Sequence, residues 1–250
     1  MKPVVGKTQD DISQEWDRIA RLRAGQIKRY KDLSYNFVLV PCILDLSSES
    51  EFTSVVDVGC GSGFLAKHIA NKSMEFVGVD MSDESVKIAN EMFGDIKNVK
   101  FIVSSIENYA KEIKEAHFTL AIANMTLMTT ISLKKFVRSI WKILMPKSHF
   151  IITITHPCFW PIYWEYADKE WFDYKKEIPI EGIFKISLET SHGFVTTHIH
   201  RPIEKYISCL IEEGFIINRI VEPMPDKNVE SKYPTVWKFP RFLGIHCIKR

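Results

Sequence analysis

The 250-residue chain has no long apolar run: nowhere does it reach the ~18–20 consecutive apolar residues that a membrane span requires. Met1-Lys2-Pro3 leads into polar sequence without an apolar h-region, so no secretory signal is read there. Charge of one sign is also lacking. The 33 Lys and Arg face 31 Asp and Glu, and a formal excess of +2 gives no electrostatic basis for a nucleic-acid or membrane partner. Cysteine is scarce and scattered: Cys42, Cys60, Cys158, Cys209 and Cys247 are odd in number and without CxxC spacing. That argues against a zinc site or a disulfide framework and points to reduced thiols in a cytoplasmic protein, with no metal expected. The length suits one α/β domain with an insertion and a sizeable core.

What the chain does have is concentrated between Thr53 and Met81. An apolar strand (Val55, Val56, Val58) runs into Gly59-Cys60-Gly61-Ser62-Gly63, then a helix, then a second strand closing on Asp80. Glycines there permit positive φ and let a ligand approach the backbone. A helix beginning near Gly63 would aim unpaired N–H groups at whatever occupies the turn. An acid at the end of the next strand is placed to accept hydrogen bonds from two ribose hydroxyls. The pattern predicts a nucleoside site on a doubly wound α/β sheet. The dinucleotide fingerprint would need glycine at 64, where Phe64 stands, and the Gly-Lys-Ser/Thr of a P-loop is absent.

Asp57-x-Gly59-x-Gly61-x-Gly63 resembles motif I of the class I S-adenosylmethionine-dependent methyltransferases, and Asp80 is similar to that family's ribose-binding acid. The resemblance implies a seven-stranded, mostly parallel sheet whose last strand is antiparallel. It implies S-adenosylmethionine as cofactor and S-adenosylhomocysteine as product. The cofactor contacts it assigns are Asp57, Gly59, Cys60, Gly61, Gly63, Asp80 and Met81 in the opening βαβ unit. Cys60 is also explained by packing alone, since the loop needs only a small side chain there. Ser105 and Ile106 follow the strand at 98–103, where the family contacts adenine, often through an acid. Asn124 and Met125 end the strand at 117–123 and resemble motif IV. Thr119 stands where the family usually has aspartate, a departure expected to bear on strand anchoring. The Asn/Asp-Pro-Pro-Tyr/Phe motif of amino-nitrogen methyltransferases is absent, which argues against nucleobase-amino chemistry.

The whole reads as a single methyltransferase domain in four parts. Residues 1–50 form a helical cap, 51–156 the cofactor-binding half, 157–200 an aromatic insertion, and 201–250 a closing helix and strands. In the cap, 8–30 has helical spacing with Ser13 as N-cap, and Pro41 opens a short helix. Helices of this kind lie over cofactor and substrate in the family, so Trp16, Tyr30 and Tyr35 are candidate pocket residues, with ordinary packing as the alternative. Trp160, Tyr163, Trp164, Tyr166, Trp171, Phe172 and Tyr174 crowd the insertion. Alternating strands follow around 183–189 and 194–200, joined at Ser191-His192-Gly193. This segment reads as a lid over a small-molecule substrate, with Trp160 and Tyr163 in its wall; a homodimer interface is the rival.

Methyl transfer from a sulfonium to an oxygen, nitrogen or carbon nucleophile mainly requires positioning, and a general base adds about 10²–10⁴-fold where a proton must leave. His156, at the end of the strand 149–155, is the leading base candidate, followed by His198 and His200 on one hairpin strand. A histidine bonded to a nearby carbonyl is the plainer role for each. Two other classes stay open: an RNA or protein methyltransferase, and a regulatory partner that binds the cofactor without catalysis.

Overall fold

Runs of β-branched residues alternate with amphipathic helical segments through the first 155 residues, and the computed structural model, which describes residues 1–189 and 193–250, follows that alternation. β1 (Lys2–Pro3) precedes α1 (Gln9–Lys28) and, after a π-helical turn at Tyr35–Leu39, α2 (Val40–Leu46). The alternating half runs β2 (Ser54–Val58), α3 (Ala66–Ile69), β3 (Glu75–Asp80), α4 (Asp83–Phe93), β4 (Val99–Val103), α5 (Ile106–Glu112), β5 (Phe118–Asn124), α6 (Leu133–Ile143) and β6 (Leu144–Thr155). The insertion holds α7 (Trp160–Tyr163), β7 (Ile178–Ile183) and β8 (Val195–His200). The chain closes with α8 (Ile203–Glu212), β9 (Phe215–Val221), α9 (Lys227–Glu230) and β10 (Phe242–Lys249).

The main sheet has seven strands in the order β4-β3-β2-β5-β6-β10-β9. β2 to β6 are parallel, and β10 is inserted antiparallel between β6 and β9. The period of two along each strand divides the core. Val56, Val58, Phe150 and Ile152 face α5, α6 and α8, meeting Tyr109, Phe136, Ile140 and Leu210. Val55, Ile122 and Ile151 face α1 to α4, meeting Ala20, Ile43, Leu46 and Ile88. Buried side chains of this size each contribute about 1.5–3 kcal/mol, so both helical layers are held on by the sheet. No helix among the described residues is long and apolar enough to cross a membrane.

Three elements depart from the sequence expectation. Ser13 lies inside α1; the cap is Thr8, whose side chain accepts from Asp11 N while Asp11 accepts from Thr8 N at 2.8 Å. The helix after the glycine turn begins at Ala66 and is a single turn of four residues, so it supplies no dipole aimed at the turn. The hairpin strand expected at 183–189 lies earlier, at Ile178–Ile183. Pairing decided it against the propensity of Pro179 and Gly182: Ile178 sits opposite His200 and Ile183 opposite Val195, with β1 added on the far side. Of the expected tip, Ser191 and His192 lie outside the described residues.

One buried cation fixes the loop after β5. Arg201, 1% exposed, donates to the carbonyls of Leu127 (3.1 Å), Thr130 (2.7 Å) and Ile131 (3.2 Å) and to Glu177 (3.1 Å). Arg201→Met would leave those carbonyls without donors and should lower stability by at least about 3 kcal/mol in urea titration. Arg201→Lys should restore only part of it, since an ammonium cannot reproduce the planar fork. An unchanged midpoint in Arg201→Met would mean the loop is held by other contacts.

Candidate functional site

At the carboxyl ends of β2 to β5, beneath α1, the structure holds a cavity of about 200 Å³. Its floor is the glycine turn. Gly59 N and Cys60 N both donate to Val79 O, at 2.7 and 3.2 Å, which ties the turn to β3. Asp80 then takes Gly61 N on one oxygen and Ser82 N on the other, each at 2.8 Å. The glycines differ in purpose. At Gly61 (φ 52°) a Cβ would meet nothing within 4 Å, so the open side belongs to a ligand. At Gly59 a Cβ would overlap Thr126, and at Gly63 it would lie 2.7 Å from Phe101, so these two are required by the protein's own packing. Gly63 does not line the cavity.

The wall chemistry is acidic. Asp57 is 1% exposed, and neither carboxylate oxygen has a hydrogen-bond partner among the described residues. Burial, reinforced by the charge of Asp80, pushes its carboxyl up to about 8. Asp80 is also raised, by burial, although the bonds from Ser82 and Gly61 oppose the shift. The N–H groups of Gly59, Cys60, Gly61 and Gly63 are already engaged. A cavity with a buried and a partly buried acid, over a turn whose glycine N–H groups are engaged, disfavours the pyrophosphate of a dinucleotide or ATP. It suits a ligand bearing cationic sulfonium and ammonium groups and ribose hydroxyls, so the residues present fit S-adenosylmethionine.

A second cavity, of about 180 Å³, adjoins the first and shares Trp16, Arg23, Met125 and Thr129 with it. Met125 sits at the junction in a left-handed conformation (φ 57°), pinned by its N–H to Thr153 O at 2.8 Å. Trp160, Tyr163, Trp164, Phe184 and Phe242 supply aromatic wall, and Arg23, Asp32, Lys185 and Arg241 supply charge. Arg23 is paired with Asp32.

The expected residues fall into two sets. Asp57, Gly59, Cys60, Gly61, Asp80, Met81, Ile106, Asn124, Met125, Trp16 and Tyr35 line the first cavity, and Trp16, Met125, Trp160, Tyr163 and His198 line the second. Ser105 lines neither. Its hydroxyl caps α5 by accepting from Asn108 N at 3.2 Å, and Ser104, Ile106 and Glu107 face the cavity instead. Tyr30 is half exposed and outside both. His156 is buried with both ring nitrogens engaged, Nε2 to Glu222 at 2.8 Å and Nδ1 accepting from Cys158 N at 3.2 Å. His200 donates to Tyr174 O at 3.0 Å; neither histidine lines the two cavities. Thr119 anchors β5 to β2 by donating to Glu51 O and Ser54 O at 2.8 and 3.0 Å.

Arg23 and Arg241 escaped the sequence reading. Arg241 precedes a strand that runs antiparallel, and Phe242 pairs with Thr155, so the start of β10 lies at the carboxyl end of the parallel strands. An arginine just before an antiparallel closing strand was the available signal.

This fold and this acid-lined turn define the class I S-adenosylmethionine-dependent methyltransferases. The family model for the methyltransferase domain matches residues 49–177, just over half of the chain, and the chain belongs to that family. Its structure is similar to that of an S-adenosylmethionine-dependent methyltransferase from Mesorhizobium loti (TM-score 0.66, 20% identity, covering 84% of this chain and 96% of that one). It is also similar to the [4+2]-cyclase SpnF (TM-score 0.64, 13% identity, covering 99% of each). At such identities the likeness is one of fold. Among curated relatives, the release factor glutamine methyltransferase of Fusobacterium nucleatum is 32% identical over 91 residues, which are 35% of this chain and 25% of that protein. The chain spans about a quarter of the length of the curated relatives it matches.

Asp57 gives a pH test. Its folded pKa of about 8 exceeds the ordinary 3.8, so the folded state keeps a proton that the unfolded chain releases. That contribution to stability is complete below about pH 4 and is lost as pH rises to about 8. Ligand-free wild type should therefore lose more stability over this interval than Asp57→Asn, measured by denaturant titration at each pH. Equal slopes in the two proteins would mean that Asp57 is folded in its charged form.

Proposed function

We propose that the chain transfers the methyl group of S-adenosylmethionine to an oxygen, nitrogen or carbon nucleophile of a small organic molecule held in the second cavity. The observation that carries this reading is the unpartnered Asp57 carboxylate beside Asp80, in a cavity that opens on a separate aromatic-walled one. Bound there, the cofactor supplies an activated methyl group and leaves as the neutral thioether S-adenosylhomocysteine. Asp80 takes the ribose hydroxyls, Asp57 faces the cationic part, and the junction at Met125 and Thr129 sets the approach of the nucleophile.

Positioning supplies the rate. Of the three candidate histidines, His198 is the one that lines the substrate cavity, bonded through Nε2 to Tyr166 at 3.2 Å. Burial lowers it to about 3, so it stays neutral and is a poor proton acceptor. Oriented, water-free approach can supply ~7–11 kcal/mol without a base. The rate should accordingly show no inflection near pH 6–7, and a clear histidine inflection lost in His198→Gln would assign it the proton instead.

The insertion's aromatic residues wall the cavity, which favours a lid over a homodimer surface. The near-balanced charge speaks against an RNA substrate. The likeness to a cyclase keeps a non-transferring role in view, because fold alone does not fix chemistry.

Calorimetry tests the proposal. S-adenosylhomocysteine should bind saturably and NADH and ATP should not. Asp80→Ala should weaken binding about ten-fold or more through lost charge-assisted bonds. Gly61→Val should do as much, by backbone strain at positive φ and by filling the open side of the turn. Saturable NADH binding without S-adenosylhomocysteine binding would overturn the assignment.

A further inference from the structure

Apart from Arg23, which lines both cavities, the buried polar atoms left unmatched among their lining residues differ in kind. In the first they include the two Asp57 oxygens, which are acceptors. In the wall of the second they are all donors, including the indole Nε1 atoms of Trp160 and Trp164, buried and without acceptors among the described residues. Charge leans the same way. Arg23 has its carboxylate in Asp32, whereas no carboxylate lies within 4.0 Å of Arg241 or Lys185 among the described residues. Asp32 is the sole acid in that wall.

Arg241 is 4% exposed, so its guanidinium has left water. Its faces are covered by Tyr163 at 3.9 Å and Trp237 at 4.3 Å, and one Nη donates to Thr235 at 3.1 Å. A guanidinium offers five N–H donors in a planar fork that matches a carboxylate or phosphate edge. Stacking covers its faces, Thr235 and Tyr163 take part of the fork, and no carboxylate pairs with it among the described residues. Burying a cation this way is costly unless an anion arrives to meet it. Lys185 adds a second positive charge at the more exposed rim, its Nζ 4.2 Å over the Trp164 ring.

We infer that the second cavity selects an organic anion, its carboxylate or phosphate gripped by Arg241 with Lys185 at the rim, and its flat apolar body held between Trp16, Trp160 and Tyr163. The inference rests on the methyl-transfer reading for calling the bound molecule a substrate, but the cavity's preference for anions stands on its own walls. A rival use of the aromatic wall is a cage for an organic cation; the unmatched donors and the excess positive charge count against it.

The test is a calorimetric titration of the full chain with four probes of similar size: 4-hydroxybenzoate, phenyl phosphate, benzyl alcohol and benzylamine. It is run with and without saturating S-adenosylhomocysteine, whose own binding is measured first. A protein that fails to bind S-adenosylhomocysteine sinks the cofactor reading, and the anion comparison is still read. The two anions should bind about ten-fold or more tightly than the alcohol and the amine, the size expected of a charge-assisted pair. Whichever anion binds more tightly identifies the headgroup as carboxylate or phosphate. Arg241→Gln should abolish the preference, and Arg241→Lys should restore charge but only part of the affinity. Should Arg241→Gln fail to fold, the Lys185→Gln, Trp164→Phe double variant serves, with a several-fold loss expected for the anions and none for benzyl alcohol. Absence of anion binding at millimolar concentration would overturn the inference. So would equal binding of alcohol or amine, or an undiminished preference in the folded variant tested.

Discussion

The Asp80 carboxylate is the point on which the site depends. It bridges two backbone N–H groups on different segments, Gly61 in the turn after β2 and Ser82 at the start of α4, and so holds the turn open in the shape a ligand needs. The same carboxylate makes its neighbour uncomfortable. Asp57, buried at the end of β2 without a partner, is pushed towards its neutral form partly by the charge of Asp80. Below its raised pKa Asp57 is relieved by keeping a proton, and a bound cation would relieve it with that proton released.

Helix α1 transmits that arrangement to the rest of the chain. Asp17 accepts from Ser82 Oγ at 2.5 Å and from Glu84 N at 3.2 Å, joining the helix to the cofactor half. Two residues earlier, Glu15 accepts from Thr197 N at 2.7 Å and from its hydroxyl at 3.0 Å, joining the same helix to β8 of the insertion. Gln9 clamps the loop after β5 at Thr129 O and Ile131 N. Trp16 and Arg23 are thereby held where the two cavities meet.

The cofactor half was legible because its signals are local. A strand, a glycine spacing and an acid at the next strand end lie within 30 residues, and parallel βαβ geometry carries them to one edge. The hydroxyl of Ser105 is engaged as the N-cap of α5, a role serine favours and one that competes with facing a ligand. The strand at 178–183 was hidden because its propensity is poor and one of its partners, β1, is far away in the chain. His156 looked catalytic by position alone, and nothing in the sequence announced Glu222 as its partner. Arg241 needed the direction of β10 before its place could be worked out.

The charged residues of the second cavity, Arg23, Asp32, Lys185 and Arg241, all lie outside the stretch at 49–177 that the family model matches, while Asp57, Gly61 and Asp80 lie inside it. The matched stretch thus contains the turn and its acids, together with the aromatic wall at Trp160, Tyr163 and Trp164, but none of the second cavity's charges. A graft of 49–177 into a relative would carry the glycine turn and its acids intact and leave the charged residues of the second cavity behind.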